Sequence, residues 1–157
     1  MANPRIDLVE TAKLGALAGT AGGFAEVLWI SFYAAATGAD AGEVARGVTA
    51  ALRLPISATA VETGIAVHMA LALALGVMVA FAWTAFQARL GRSLGVVGRY
   101  GILIGALAIV WMVNFLIVLP WISPAFVTIV PYSVSLASKL LFGVGAAAVL
   151  QLPRRSR

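Results

Sequence analysis

The chain has 157 residues, of which 62% are apolar and 11% are charged, and its mean hydropathy is +1.00. Soluble domains are about half apolar and about a quarter charged, and small ones bury only about two-thirds of the surface that the unfolded chain exposes. The composition therefore excludes a soluble enzyme, a disordered chain and a nucleic-acid-binding module. The net charge of +5 does not indicate a polyanionic partner, because the basic residues flank long apolar runs, as membrane anchors do.

Four segments are long enough to cross a hydrocarbon layer, which requires about 20 apolar residues. They cover approximately residues 14–37, 63–86, 97–119 and 131–152. We expect helices, because backbone in lipid must satisfy its own hydrogen bonds. The first segment exceeds the apolar part of a secretory signal and carries Glu26 at its centre, so we expect a retained span. The predicted fold is an all-α polytopic membrane protein, a four-transmembrane-helix bundle forming one domain over residues 1–157.

The first outer connection, residues 38–62, contains Val44, Val48 and Leu52 at four-residue spacing. This pattern predicts a short amphipathic helix that stops at Pro55. Periodicity alone leaves two positions open for it, on the membrane surface or packed over the mouth of the bundle.

The second outer connection, residues 120–130, is apolar and uncharged and contains a tryptophan and two prolines. Such a sequence is typical of an interfacial or shallow re-entrant segment. We expect Pro131 in the first turn of the fourth helix, where a missing N–H costs little.

The distribution of basic residues predicts the orientation. If both termini are cytoplasmic, the opposite side has only Arg46 and Arg53, offset by three acidic residues. The cytoplasmic side then carries Arg5, Lys13, Arg89, Arg92, Arg99, Arg154, Arg155 and Arg157. This asymmetry follows the positive-inside rule and predicts a multi-pass protein of the inner (plasma) membrane with both termini in the cytoplasm.

Each predicted helix carries a row of small residues, which allow helices to approach closely in lipid. We expect each row to face a neighbouring helix, although such rows equally drive homodimerisation. The rows are Gly15, Gly19 and Gly22; Gly64, Ala72, Gly76 and Ala80; Gly101, Gly105 and Ala108; and Ser135, Gly143 and Ala147.

Strongly polar residues interrupt these apolar helices. Glu26, His68 and Lys139 continue the small-residue rows of the first, second and fourth helices, and Asn114 lies in the third, off its glycine row. Polar groups within membrane helices usually face the bundle interior and mark functional sites. We therefore predict an intramembrane polar cluster of these four residues.

Counting residues places Glu26 and Lys139 near mid-membrane. A charge there costs about 2.5–3.5 kcal/mol, so we predict a Glu26–Lys139 pair in a partly hydrated cavity. The region above it is expected to be lined by His68, Asn114, Tyr132 and Ser135. Such a pair serves either to fix helix register or to handle protons or a transported substrate, and the sequence favours neither.

Motifs for known chemistry are missing. There is no cysteine and one histidine, so a thiolate metal site is excluded and a zinc site would need carboxylates. The chain has no G-x-S-x-G, H-E-x-x-H or P-loop motif, which are the signatures of common catalytic sites. We expect no enzyme activity, no bound metal and no cofactor.

The layout resembles the YagU-like group of small bacterial inner-membrane proteins, whose mechanism is uncharacterised. The resemblance rests on one feature in each helix. These are Glu26 in a glycine-rich first helix, His68 followed by Gly76 in the second, Gly105 with Pro120 and Pro124 in and after the third, and the Phe142-Gly143 step in the fourth. That group tends to place a histidine before the last step, where this chain has Lys139. The resemblance implies a four-helix membrane protein and no particular activity.

These observations favour an accessory or scaffolding subunit of a membrane complex, because the chain is small, has short loops and lacks catalytic motifs. The alternative is a small proton-coupled transporter or channel using Glu26, His68 and Lys139. A third hypothesis is a cofactor-binding subunit in which His68 is an axial ligand or contacts a pigment. The expected partners are the lipid bilayer and either other membrane subunits or further copies of the chain, and no nucleic acid.

Overall fold

The computed structural model describes residues 7–90 and 95–152. All regular elements in these ranges are helical: α1 (Leu8–Thr37), α2 (Ala41–Ala51), α3 (Ala60–Leu90), α4 (Val96–Val113), a π-helical segment (Asn114–Val118), α5 (Leu119–Ile122), α6 (Phe126–Ile129) and α7 (Tyr132–Leu150).

Within the described ranges, four helical stretches are long and apolar enough to cross a membrane. They are Leu8–Thr37, Ala60–Arg89, Val96–Ile122 and Tyr132–Leu150. The predicted all-α four-helix membrane bundle is therefore confirmed. We call the end where α1 begins the base of the bundle, and the end where α3 begins the mouth. Of the basic residues used to predict the orientation, Arg5, Arg92, Arg154, Arg155 and Arg157 lie outside the described residues.

Helix α1 is the centre of the bundle. It packs against α3 on one side and α7 on the other, and α7 in turn packs against α4. A first core cluster joins the four helices through Ala18, Ala72, Leu107, Phe142 and Ala146. A second cluster near the base joins α3, α4 and α7 through Trp83, Leu103 and Ala147. The bundle is thus closed at the base by large side chains.

Glycines allow α1 and α3 to approach closely. A Cβ atom added to Gly76 would meet the backbone of Gly15 and Gly19, and one added to Gly19 would lie 2.8 Å from Cα of Leu73. Only hydrogen atoms fit at these positions. The small-residue rows of the first two predicted spans therefore face each other, as expected.

Within residues 7–90 and 95–152, the glycine row of α4 does not face a neighbouring helix, which leaves association with another chain as the alternative for this row. A Cβ atom added to Gly101 or Gly105 would meet nothing within 4 Å. Helix α4 instead presents larger residues to α7, where fully buried Leu107 packs and Ile104 lies over Gly143. The small residues of α7 accept these side chains, so α4 approaches without using its own glycines.

The π-helical segment follows from Pro120. Proline has no N–H to donate to the carbonyl four residues earlier, and its ring clashes with that carbonyl. The chain widens by one residue before the proline, and the N–H of Leu119 donates to the carbonyl of Asn114. Such π-helical turns let a helix continue past an obstacle. The third span therefore extends through Pro120 to Ile122, beyond its predicted end.

Helix α2 packs over the mouth of the bundle, which is the second of the two positions left open by the sequence. The hydroxyl of Thr49 is buried and donates to the carbonyl of Ala60, at 2.6 Å. Gly64 of α3 lies directly against the carbonyl of Ala45, and Gly47 faces Phe126 of α6. These contacts fix α2 to α3 and α6.

The start of α2 is held by Asp40, which precedes the helix. Its carboxylate accepts from the backbone N–H of Gly42, at 2.7 Å, and from the guanidinium of Arg46, at 2.5 Å. The Arg46 hydrogen bond, followed by that of Gly42, holds the pKa of Asp40 below its ordinary value.

We expect Gly76→Val to lower the free energy of unfolding by at least about 1–3 kcal/mol, because the added side chain must separate two packed backbones. Gly105→Val is the matched control, since it introduces the same residue where the space is open. Equilibrium unfolding in mixed detergent micelles measures both variants. Equal losses of stability would contradict the close α1–α3 packing.

The Asp40 contacts predict a pH dependence for α2. Because the pKa of Asp40 is lowered in the folded state, its stabilising effect is present above the ordinary value of 3.8 and lost as the pH falls through the lowered value. After correction for intrinsic exchange rates, hydrogen exchange of the Gly42 amide should therefore be constant near neutral pH and accelerate in acid. Asp40→Asn, which keeps a capping side chain without a titrating group, should remove that acceleration.

Candidate functional site

Glu26 lies in the middle of α1, where the helix is in contact with both neighbours. A Cβ atom on Gly22 would lie 2.6 Å from the ring of Phe142, and one on Gly23 would lie 2.8 Å from Cβ of Ala72. These glycines precede Glu26 by about one helical turn, so α3 and α7 approach closely just below it. The Glu26 residue is only 4% exposed.

The carboxylate of Glu26 is paired with Lys139 of α7. The distance from Lys139 Nζ to Glu26 Oε1 is 2.7 Å, and Lys139 Nζ also lies 4.9 Å from the centre of the Phe142 ring. The predicted Glu26–Lys139 pair is therefore confirmed. Because the two residues come from distant parts of the sequence, the pair also joins the first and last helices.

His68 faces the second oxygen of the same carboxylate. His68 Nε2 lies 3.6 Å from Glu26 Oε2, and neither atom has a hydrogen-bond partner within the described residues. A shift of a few tenths of an ångström would form a hydrogen bond. Imidazole can gain or lose a proton near neutral pH. Glu26, His68 and Lys139 therefore form a three-residue group, hereafter the charged trio, centred on one carboxylate.

The charged trio lies at the floor of a cavity of about 490 Å³. The walls come from α1, α3, the π-helical segment, α5 and α7, and the roof comes from α2 and α6. The apolar face of α2, with Val44 and Val48, points into the cavity, and Leu52, directly after the helix, also lines it. Most of the lining is aliphatic or aromatic, and the three residues of the charged trio are its ionisable side chains.

Asn114 and Ser135 also line the cavity. The hydroxyl of Ser135 is already engaged, since it accepts from Trp111 Nε1, at 3.0 Å, and donates to the carbonyl of Tyr132, at 3.0 Å. Asn114 makes no side-chain hydrogen bond among residues 7–90 and 95–152. Sequence reasoning thus placed both residues correctly but did not predict that Ser135 joins α7 to α4.

Tyr132 is not part of the lining, contrary to the prediction. It is about half exposed, and its ring packs edge-on against Trp111 and Phe115. Tyr132 is the first residue of α7, so its ring extends along α4 and not across the bundle. Counting residues gave its depth but not the direction of its side chain.

Ser138 lines the cavity beside Lys139 and was missed by the sequence analysis. It is buried and makes no side-chain hydrogen bond within the part of the chain that the structure describes. The sequence feature that could have identified Ser138 is its spacing, because it follows Ser135 by three residues and precedes Phe142 by four. That spacing places all three on one helix face.

The arrangement can hold and move a proton. Glu26 and His68 are its potential metal ligands, and no group of three or more His, Cys, Asp or Glu side chains suited to a metal occurs within the described ranges. A carboxylate, an imidazole and an ammonium within contact distance offer several positions for one proton. The adjoining cavity gives the site room for water or a small molecule.

Comparison of the chain with models of protein families, with curated proteins and with solved structures gives no match in any of the three. The geometry of the site is therefore the basis on which a function is inferred.

We expect Glu26→Gln to cost about 3–5 kcal/mol of unfolding free energy, because it leaves the buried Lys139 ammonium without its counter-charge. The double variant Glu26→Gln/Lys139→Met should recover most of this loss, and unfolding of all variants in mixed micelles gives the coupling energy.

The exposed pair of Glu10 and Lys13, 3.3 Å apart, provides the control. Glu10→Gln should change stability by no more than about 1 kcal/mol, since exposed ion pairs contribute little. Similar effects at Glu10 and Glu26, or additive effects in the double variant, would contradict a tight buried pair.

Proposed function

We propose that this protein is a small membrane transporter in which the charged trio couples the movement of protons to the transport of a substrate held in the cavity. The observation that carries the proposal is the position of Glu26, His68 and Lys139 at the floor of an open cavity of about 490 Å³. The alternative hypothesis from the sequence analysis, a proton-coupled transporter, is thus the function that the geometry supports best.

A purely structural role for the pair accounts less well for this geometry. An ion pair that only fixes helix register repays the cost of its burial when hydrogen bonds within the protein satisfy its remaining donors and acceptors. Within the described residues, Glu26 Oε2 and His68 Nε2 have no hydrogen-bond partner. Here the side chains of Lys139 and His68 are 17% and 29% exposed, although they lie within the bundle. Accessible ionisable groups at membrane depth are typical of proton and substrate paths.

The three residues have different surroundings, which suggests a division of roles. Lys139 contacts one oxygen of Glu26 and holds the carboxylate in place. His68 faces the other oxygen, and its side chain is more exposed than that of Lys139. A proton arriving through the cavity therefore reaches His68 first and Glu26 second.

Access to the charged trio is one-sided, which favours a transporter over an open channel. On the base side of the trio, Leu107, Phe142 and Ala146 are completely buried and pack into one cluster. On the mouth side lies the cavity. A transporter requires such a closed side at each stage of its cycle, whereas a channel requires a continuous path.

We further propose that both termini are cytoplasmic and that the membrane is the bacterial inner membrane. Helix α1 begins, and α7 ends, at the base, where Lys13 and Arg89 also lie. The positive-inside rule assigns this side to the cytoplasm. The resemblance to the YagU-like group agrees with this assignment, and we propose membership of that group, with Lys139 in place of the usual histidine.

An accessory or scaffolding subunit is the second candidate, and the glycine row of α4 favours it. Gly101 and Gly105 have open space beside them, and small residues on an uncovered membrane helix allow another helix to approach closely. A homo-oligomer or a complex with another membrane subunit would cover this face.

We expect proton flux in proteoliposomes that contain the purified protein and a trapped pH-sensitive dye, after a potassium diffusion potential is imposed. The variant Glu26→Gln/Lys139→Met should abolish the flux while keeping the fold, and His68→Gln should slow it at least about tenfold, as loss of a proton-transfer group does. Glu62→Gln, at the exposed start of α3, should leave the flux unchanged.

A wild-type flux no greater than that of empty liposomes would contradict the transporter proposal and favour the accessory subunit. Unchanged flux in the double variant would show that any transport bypasses the charged trio.

A further inference from the structure

We propose that the cavity binds an apolar-chain molecule whose head presents oxygen acceptors, and that this molecule enters sideways from the bilayer. The proposal rests on the proposed function in that it uses the same cavity. It adds the chemical class of the ligand and its route of entry.

The side of the cavity is open between α3 and the third span. Among the described residues, α3 packs mainly on α1 and α2, and the π-helical segment packs mainly on α4 and α5. Cavity-lining residues on both edges are exposed: Ile65 and Leu71 on α3, and Val118 and Ile122 on the other edge. At membrane depth this opening meets lipid chains, so an apolar molecule can enter without crossing water.

The roof is less suited to entry. Helix α2 is fixed by the buried bond from Thr49 to the Ala60 carbonyl and by direct backbone contact between Ala45 and Gly64. The apolar face of α2 also points inward, so lifting it would expose that face to water. The lateral opening requires no such separation.

The lining is divided between an apolar body and a polar floor. Ile30, Val44 and Val48 surround the upper part, whereas Ser138 and Lys139 lie with Glu26 at the floor. The volume of about 490 Å³ falls within the range of about 300–1,000 Å³ typical of small-molecule sites. An amphipathic molecule would place its chain in the upper part and its head on the charged trio.

The groups that can reach a head are mainly hydrogen-bond donors. Lys139 has three N–H donors, of which one is directed to Glu26, and Asn114 and Ser138 have no side-chain partner in the described ranges. Ammonium, amide and hydroxyl groups can all donate. A head with carbonyl, carboxylate or hydroxyl oxygens would satisfy them.

The charge at the floor disfavours a cationic head. Glu26 would attract an organic cation if its carboxylate were free, but Lys139 Nζ lies 2.7 Å from Oε1 and His68 Nε2 lies 3.6 Å from Oε2, so both oxygens already face a side chain of the bundle. A second cation would be repelled by the ammonium at short range. The structure therefore favours an uncharged or anionic head.

The test uses three probes with the same chain: dodecanoate, dodecanol and dodecyltrimethylammonium. Binding of radiolabelled dodecanoate to the protein in lipid nanodiscs is measured by scintillation proximity, with empty nanodiscs as background. We expect saturable binding that unlabelled dodecanoate and dodecanol displace and the ammonium compound does not. Preferential displacement by the ammonium compound, or no saturable binding, would overturn the proposal; displacement by dodecanoate alone restricts the head to anions.

Two variants test the route and the charge selection. Leu71→Trp, in the lateral opening, should slow the association of dodecanoate at least about tenfold by filling that space, whereas Leu17→Trp, equally exposed at 58% on α1 but outside the cavity, should associate as the wild type does. Lys139→Gln frees the Glu26 carboxylate and should shift displacement towards the ammonium compound. Equal association rates for the two tryptophan variants would contradict lateral entry.

The ligand proposal is tested by equilibrium binding and the transporter proposal by proton flux, so either one can fail without the other. Flux that depends on Glu26 without dodecanoate binding would overturn this ligand assignment and leave the transporter proposal intact. Binding without flux would overturn the transporter proposal and leave a lipid-facing binding site.

Discussion

Burying the carboxylate of Glu26 in the middle of a membrane bundle is the constraint on which the rest of the structure depends. A short acidic side chain at this depth cannot extend to either interface, so its partner must come from within the bundle. The partner is Lys139 of the last helix, which requires α1 and α7 to be neighbours. His68 contacts the same carboxylate from α3, so α1 must also contact α3. The central position of α1 follows from one residue.

Glycines make this arrangement possible because apolar burial does little to hold helices together in lipid. Gly15, Gly19 and Gly76 bring α1 and α3 into backbone contact, and Gly22 accommodates the ring of Phe142. The same close approach carries Glu26 towards both of its partners. Polar chemistry and close packing therefore lie on the same helix faces, and the packing holds the charged trio in place.

The charged trio could be predicted from the sequence because each of its residues continues a row of small residues, and such rows show which face turns inward. The spans could be predicted from hydropathy. The contact between the first and last helices could be predicted from the Glu26–Lys139 pair. The other helix pairings could not, because every helix has a small-residue row and four rows do not specify which ones meet. On α4 the row faces outward, since the larger Leu107 and Ile104 fit against the small residues of α7.

The position of α2 and the path of the third span could not be predicted for a related reason. Four-residue spacing shows that α2 has an apolar face, but the surface that covers this face belongs to distant parts of the chain. Pro120 is compatible with either a helix end or a widened turn, and the sequence alone does not distinguish the two. Tyr132 has a predictable depth, but the direction of its ring depends on Trp111 and Phe115.

The cavity itself has a physical consequence in a membrane. An empty apolar space of about 490 Å³ would deprive its lining of dispersion contacts, and helices in lipid are free to close such a gap. The roof contacts through Thr49 and Gly64 hold α2 in place, and the large side chains at the base hold α3 and α4 together. The space between therefore persists and must be filled. Lipid chains adjoin its open side, but they cannot satisfy the donors of Lys139, Asn114 and Ser138, so a chain that also carries an oxygen-bearing head fills it better than an unsubstituted one.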